Sequence, residues 1–150
     1  MNHVSSQSRE AVYSENESLV KGVQYVATLD TRTTDICADL DGQIFKVDEG
    51  PRPPQHINCR STTVPVLRSW KELGIDLKEA PPGTRASMNG QVAEGTTYGQ
   101  WLKSQSTSTQ NEALGPGRAK LFRSGAVSIH QFVDSTGRTL TLDELSRLEK

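Results

Sequence analysis

Large apolar side chains are scarce in this sequence. Of 150 residues, 33% are hydrophobic and 5% are aromatic. A thick continuous core is therefore not expected, and much of the chain reads as loop, arm or partner-facing surface. Excess charge of either sign is missing too. A formal net charge of −1 gives no support to a nucleic acid as direct ligand and provides no acidic tail. No apolar run reaches the ~20 residues that span a bilayer, and Met1 to Glu17 is polar, without the apolar segment of a secretory leader. Both absences favour a chain that stays in a cytoplasm and has no membrane partner. Two cysteines are too few for a disulfide framework; in a reducing compartment they read as thiols or metal ligands.

What is present predicts an α+β fold, a small β-sheet packed on short helices with a helical C-terminal part. Residues 1–20 are polar, with Val4, Ala11, Val12, Leu19 and Val20 too sparse for a strong stripe, and read as an arm or weak helix that needs a partner to be ordered. Residues 23–29 (VQYVATL) are rich in β-branched and aromatic side chains and predict a strand. Thr33 or Thr34 can cap a short helix through Asp39, with Ile36 and Leu40 facing inward. Asp41-Gly42 is a turn dipeptide ahead of a second strand at 43–47. Residues 48–55 hold three of the seven prolines, which excludes helix or central strand and predicts a stiff loop. A third strand at 61–67 carries Pro65 and belongs at an edge or an end.

Residues 80–96, with Pro81-Pro82 and three glycines, read as an ordered loop or linker separating a unit at 21–79 from helices at 97–150. The helical part shows four capping-box patterns, at 97–100, 109–112, 128–131 and 141–144. Pro116 starts a helix carrying Leu121 and Phe122, and Gly125 closes it.

Soft ligand atoms gather between Asp30 and Val66. Both cysteines, Cys37 and Cys59, lie there, and His56 precedes Cys59 by three residues. Zinc favours thiolate and imidazole in a tetrahedral shell, so Cys37, His56 and Cys59 are candidate metal ligands for a structural zinc ion. A fourth ligand would have to come from Asp30, Asp35 or water, since Thr34 is a poor donor. Two other readings stand beside this one. The cysteines can be small buried hydrophobes, with His56 bonding a backbone carbonyl to hold the Pro-rich loop. A catalytic Cys–His pair is the third. Arg32 and Arg60 flank the cluster among Asp30, Asp39 and Asp41, which suggests Arg–Asp pairing between the strand end and the His56–Arg60 turn.

The order Leu29, Asp30, Arg32, Thr33, Cys37, Asp41, Gly42, Phe45, then Pro53, Pro54, His56, Asn58, Cys59 and Arg60 resembles the signature of the Mu F-like minor head proteins, the phage head morphogenesis family. Many members carry a cysteine where this chain has Thr34, and another where it has Ser61. Tyr98 to Leu102, Gln110, Leu114-Gly115, Arg118, Leu121-Phe122 and Gly125 look like the C-terminal helices of the same proteins, so the likeness spans about residues 18 to 146. It implies that residues 21–79 are the head-morphogenesis core, with Asp30, Arg32, Asp41, His56 and Arg60, beside the two cysteines, as a fold-defining polar cluster. It also implies a structural minor virion protein associated with phage portal or capsid proteins, present in the host cytoplasm during assembly and capable of forming a homo-oligomer.

Enzyme readings are weaker. Ser106-Thr107-Ser108 and Gln110-x-Glu112 look like fragments of ADP-ribosyltransferase motifs, but those motifs lie far apart in that fold, and here helix capping explains the residues. A small phage-encoded nuclease or toxin would use His56, Arg60, Arg32 and Asp30 as base, clamp and acid, with His130 as a surface residue. A pure interaction module would expose Trp70, Tyr98 and Trp101 as anchors, whereas core packing would bury them.

Overall fold

The computed structural model describes residues 2–148 and has an α+β fold. Strand β1 (Val20–Val26) is central in a three-stranded antiparallel sheet, flanked by β2 (Ile44–Phe45) and β3 (Thr62–Leu67). Helix α2 (Asp35–Leu40) lies between β1 and β2 in sequence. Val23 and Tyr25 on β1 are fully buried while Gln24 and Val26, which alternate with them, are half-buried. Gly22 sits at a register shift where an added Cβ would come within 3.0 Å of the Phe45 carbonyl oxygen. β3 is an edge strand, which tolerates Pro65 without an amide hydrogen.

Helix α1 (Asn2–Glu15) is ordered by the chain's own sheet. The sparse aliphatic positions do not make the contact: Val4 and Val12 are exposed. The inward face is Ser6, Glu10 and Tyr13, at helical spacing. Tyr13 packs with Val20, Val23 and Val47, and its hydroxyl donates to the Thr63 carbonyl at 3.2 Å. The carboxylate of Glu10 takes Arg52 Nε at 2.6 Å and the Thr63 hydroxyl at 3.3 Å. One aromatic and one ion pair replace the missing stripe.

The loop expected at 80–96 contains a hairpin, β4 (Thr84–Ser87) with β5 (Gly90–Ala93). Met88-Asn89 form the two-residue turn between paired Ser87 and Gly90, Gly90 taking φ 113°. The hairpin is tied to the sheet unit through Met88 N–H donating to the Leu29 carbonyl at 2.9 Å. Arg85 reaches inward to Asp41. A long-range ion pair of this kind leaves no trace in local periodicity, which is why composition alone suggested a linker.

Five helical segments follow: α3 (Tyr98–Lys103), α4 (Thr107–Leu114), α5 (Pro116–Ser124), a 3-10 turn (Ile129–Gln131) and α6 (Leu142–Arg147). The capping boxes at Thr97–Gln100, Ser128–Gln131 and Thr141–Glu144 form. The one expected at 109–112 does not. Ser106 caps α4 one turn earlier, its hydroxyl accepting Thr109 N–H at 3.2 Å. Pro116 opens α5, and Gly125 closes it at φ 79°. Trp101, Leu102, Val127, Phe132 and Leu145 fill the core of this part, and Leu29 and Ala38 join it. Helix α2 therefore touches two cores, Ala38 facing the C-terminal helices and Cys37 and Leu40 facing Tyr25. Of the three expected anchors, Tyr98 and Trp101 are core residues, while Trp70 is 38% exposed.

Candidate metal centre

Cys37 lies on α2; His56 and Cys59 lie on the loop between β2 and β3. The loop presents both of its side chains through a turn closed by Cys59 N–H donating to the His56 carbonyl at 3.2 Å. Asn58 turns the chain at φ 59°, a left-handed conformation that Asn tolerates better than most residues. Three donor atoms converge as a result. Cys37 Sγ is 3.3 Å from His56 Nε2 and 3.7 Å from Cys59 Sγ, and all three ligand atoms lie within 4.8 Å of one another. His56 Nδ1 sits 2.8 Å from the Ile57 carbonyl oxygen. That oxygen can only accept, so the neutral ring carries its proton on Nδ1 and turns the Nε2 lone pair toward the thiols. A metal-binding histidine is commonly oriented this way.

Beneath the thiols lies Tyr25, fully buried, its hydroxyl 3.3 Å from Cys37 Sγ and 4.0 Å from Cys59 Sγ. Burial, with Cys37 beside it, pushes this phenol far above its ordinary range, so it stays protonated. The two thiols differ. Burial also raises Cys37, against hydrogen bonds from Ser61, Tyr25 and Thr34. Burial raises Cys59 as well, but there the backbone N–H groups of Gln55 and Ser61 outweigh it, helped by the Ser61 hydroxyl and Cys37, and the thiol is lowered. The donor set of two sulfurs and one imidazole nitrogen can hold a metal ion such as zinc.

The five residues expected as one polar cluster sit in different places. Arg60 grips Asp30 with both terminal nitrogens, Nη2 to Oδ1 at 2.8 Å. The guanidinium holds the Asp30 carboxyl below its usual value. Asp30 also accepts Arg32 N–H at 2.9 Å and the Thr33 hydroxyl at 3.3 Å, while the Arg32 side chain is exposed. This group fastens the His56–Arg60 turn to the end of β1, next to the thiols. Asp41 is elsewhere, buried at the junction of sheet, hairpin and α3. Its Oδ1 accepts Ala27 N–H at 2.7 Å and Arg85 Nη2 at 3.0 Å; its Oδ2 accepts Tyr98 N–H at 2.6 Å and Arg85 Nη1 at 3.0 Å. Sequence reasoning missed Arg85 and Tyr25, and met Ser61 only as a position where many members of the family it resembles carry a cysteine. His130 is exposed and bonds Asp39 at 2.9 Å through Nδ1, on another face of α2.

Residues 1–64 match the family model described as Phage Mu protein F like protein. This segment is Mu F-like. The Mu F-like segment takes in α1, β1, α2, β2 and the start of β3, and with them all three soft ligands. It begins earlier than the likeness read from the motifs, since it includes α1, and it ends well before residue 146. At the level of the family it supports phage head morphogenesis. No curated protein and no solved structure matches the chain. No helix of the described residues is long and apolar enough to cross a membrane.

Proposed function

We propose that this protein is a structural minor head protein of a tailed phage, associated with portal or capsid proteins and packaged in the virion, after a phase in the host cytoplasm during assembly. The Mu F-like match over residues 1–64 carries this reading. The chemistry of the matched segment agrees with a scaffold. Asp30 and Arg60 neutralise each other, and His56 is held between a backbone carbonyl and a thiol. A nuclease or toxin would need those groups free for substrate. Within the scaffold, the Cys37–His56–Cys59 corner serves as a structural zinc site that clamps the long loop onto α2. Mass spectrometry of purified virions from the parent phage tests the role. Low-copy recovery of the chain with the head, and portal or capsid protein captured with it from assembling cells, is expected. Its exclusion from both heads and assembly intermediates would overturn the reading.

A further inference from the structure

We propose that the Cys37–His56–Cys59 centre is an open zinc site, whose fourth position is an exchangeable water that small monodentate anions displace. The proposal rests on the zinc reading above and names what completes it.

The spacing already fits a tetrahedron. Zn–S bonds of about 2.3 Å and Zn–N bonds of about 2.0–2.1 Å put tetrahedral S–S edges near 3.8 Å and S–N edges near 3.5 Å. The corresponding separations here are 3.7 and 3.3 Å. Cys37 thus stands at tetrahedral spacing from both other ligands, and all three ligand atoms lie within 4.8 Å of one another. The two carboxylates nearest in sequence are engaged elsewhere: Asp30 with Arg60, and Asp35 with Arg118 at 2.7 Å. Neither belongs to the ligand group, which among the described residues consists of Cys37, His56 and Cys59.

A space adjoins two of the three ligands, Cys37 and His56. A cavity of about 20 Å³ is lined by Cys37, His56, Thr34, Ser61 and Arg32, among others. That is room for one water, and its walls are polar. Ser61 is buried beside both thiols, and its hydroxyl acts to lower each of them. It acts as an outer partner of the sulfurs, and a neutral serine hydroxyl is not among the usual protein ligands of zinc. Two thiolates cancel the charge of the dication, which leaves the exposed guanidinium of Arg32 as the local positive charge at the mouth. An entering anion is therefore favoured over an entering cation.

Cobalt(II) reports both halves of the idea. The purified full chain is loaded with Co2+ and its visible spectrum is followed during an azide titration. Sulfur-to-cobalt charge-transfer bands with tetrahedral ligand-field bands are expected, and saturable azide addition is expected to shift the latter. Arg32→Ala should weaken azide binding about fivefold, the worth of one nearby screened charge, and leave cobalt binding unchanged. Ser61→Cys should raise the charge-transfer intensity by about half, from two thiolates to three, and abolish the azide response. A tetrahedral thiolate spectrum that ignores azide in the unaltered chain would overturn the open position while keeping the metal. Absence of any charge-transfer band would overturn the zinc site itself.

Discussion

Beside the aliphatic Val20, Val23, Leu29 and Leu40, the sheet segment buries a set with polar or sulfur atoms, Tyr25, Cys37, Asp41, Cys59, Ser61 and Thr63; after Thr97 the buried set includes Trp101, Leu102, Leu121, Phe122, Val127, Phe132 and Leu145, with Gln110 as its buried polar member. The first set is dominated by atoms that need a partner, and its members meet in hydrogen bonds and in the sulfur–imidazole corner. The second set is nearly all hydrocarbon, and its apolar members share one cluster. Polar contacts give little net stability when formed but cost several kcal/mol when half removed. Hydrocarbon burial yields roughly 1.5–3 kcal/mol per large side chain and tolerates adjustment. One chain thus uses specificity at one end and bulk burial at the other, which is how it folds with 5% aromatics.

The comparison is broken most directly at Asp41. Asp41→Ala leaves the Arg85 charge without its carboxylate and the Ala27 and Tyr98 N–H groups without their acceptor, and should cost about 3–5 kcal/mol. Phe132→Ala at the centre of the helical cluster should cost a similar 3–5 kcal/mol through the cavity it leaves. Urea unfolding of both variants measures this. If the first loses under about 1 kcal/mol while the second loses its full amount, stability resides in the helices alone.

A smaller effect should appear in acid. Arg60 lowers the Asp30 carboxyl in the folded state, so this pair stabilises fully above the unfolded value, near pH 4, and fades as pH falls through the folded value. Asp30→Asn should flatten that limb of a Tm-against-pH curve and leave its slope near neutrality alone. Parallel curves for the two proteins would remove the pair from the account. Arg60 is partly exposed, so screening keeps the effect modest.

The smallest expected change separates two neighbouring hydroxyls. Ser106→Ala removes the cap of α4 and should cost about 1 kcal/mol. Thr109→Ala, within the helix, should cost less than half of that. Equal losses by thermal denaturation would return the cap to Thr109.

The same contrast decides what could be read beforehand. Strands near 23–29, 43–47 and 61–67, the turn at Asp41-Gly42 and three capping boxes are local patterns, and local patterns were legible. The approach of Cys37 to His56 and Cys59 was legible as well, because a Pro-rich loop and a short helix leave few ways to close 19 residues. What stayed hidden was contact at a distance. Arg85 gave no sign of its tie to Asp41, and the hairpin that delivers it lay within a segment read as loop or linker. Tyr13 and Glu10 hold α1 through a single ring and a single carboxylate, where periodicity looks for a stripe. Asp30, Arg32, Asp41, His56 and Arg60 are close in sequence, yet chain proximity did not reveal that Asp41 faces a different interior from the rest.

The outer strand offers a last consequence. A bare β border is an invitation to a neighbouring molecule, and identical chains at high local concentration would zip side by side. Here Pro65 withholds a donor from that border and the Tyr13 phenol already occupies the Thr63 acceptor. The β3 border is thereby blunted against pairing with a second strand.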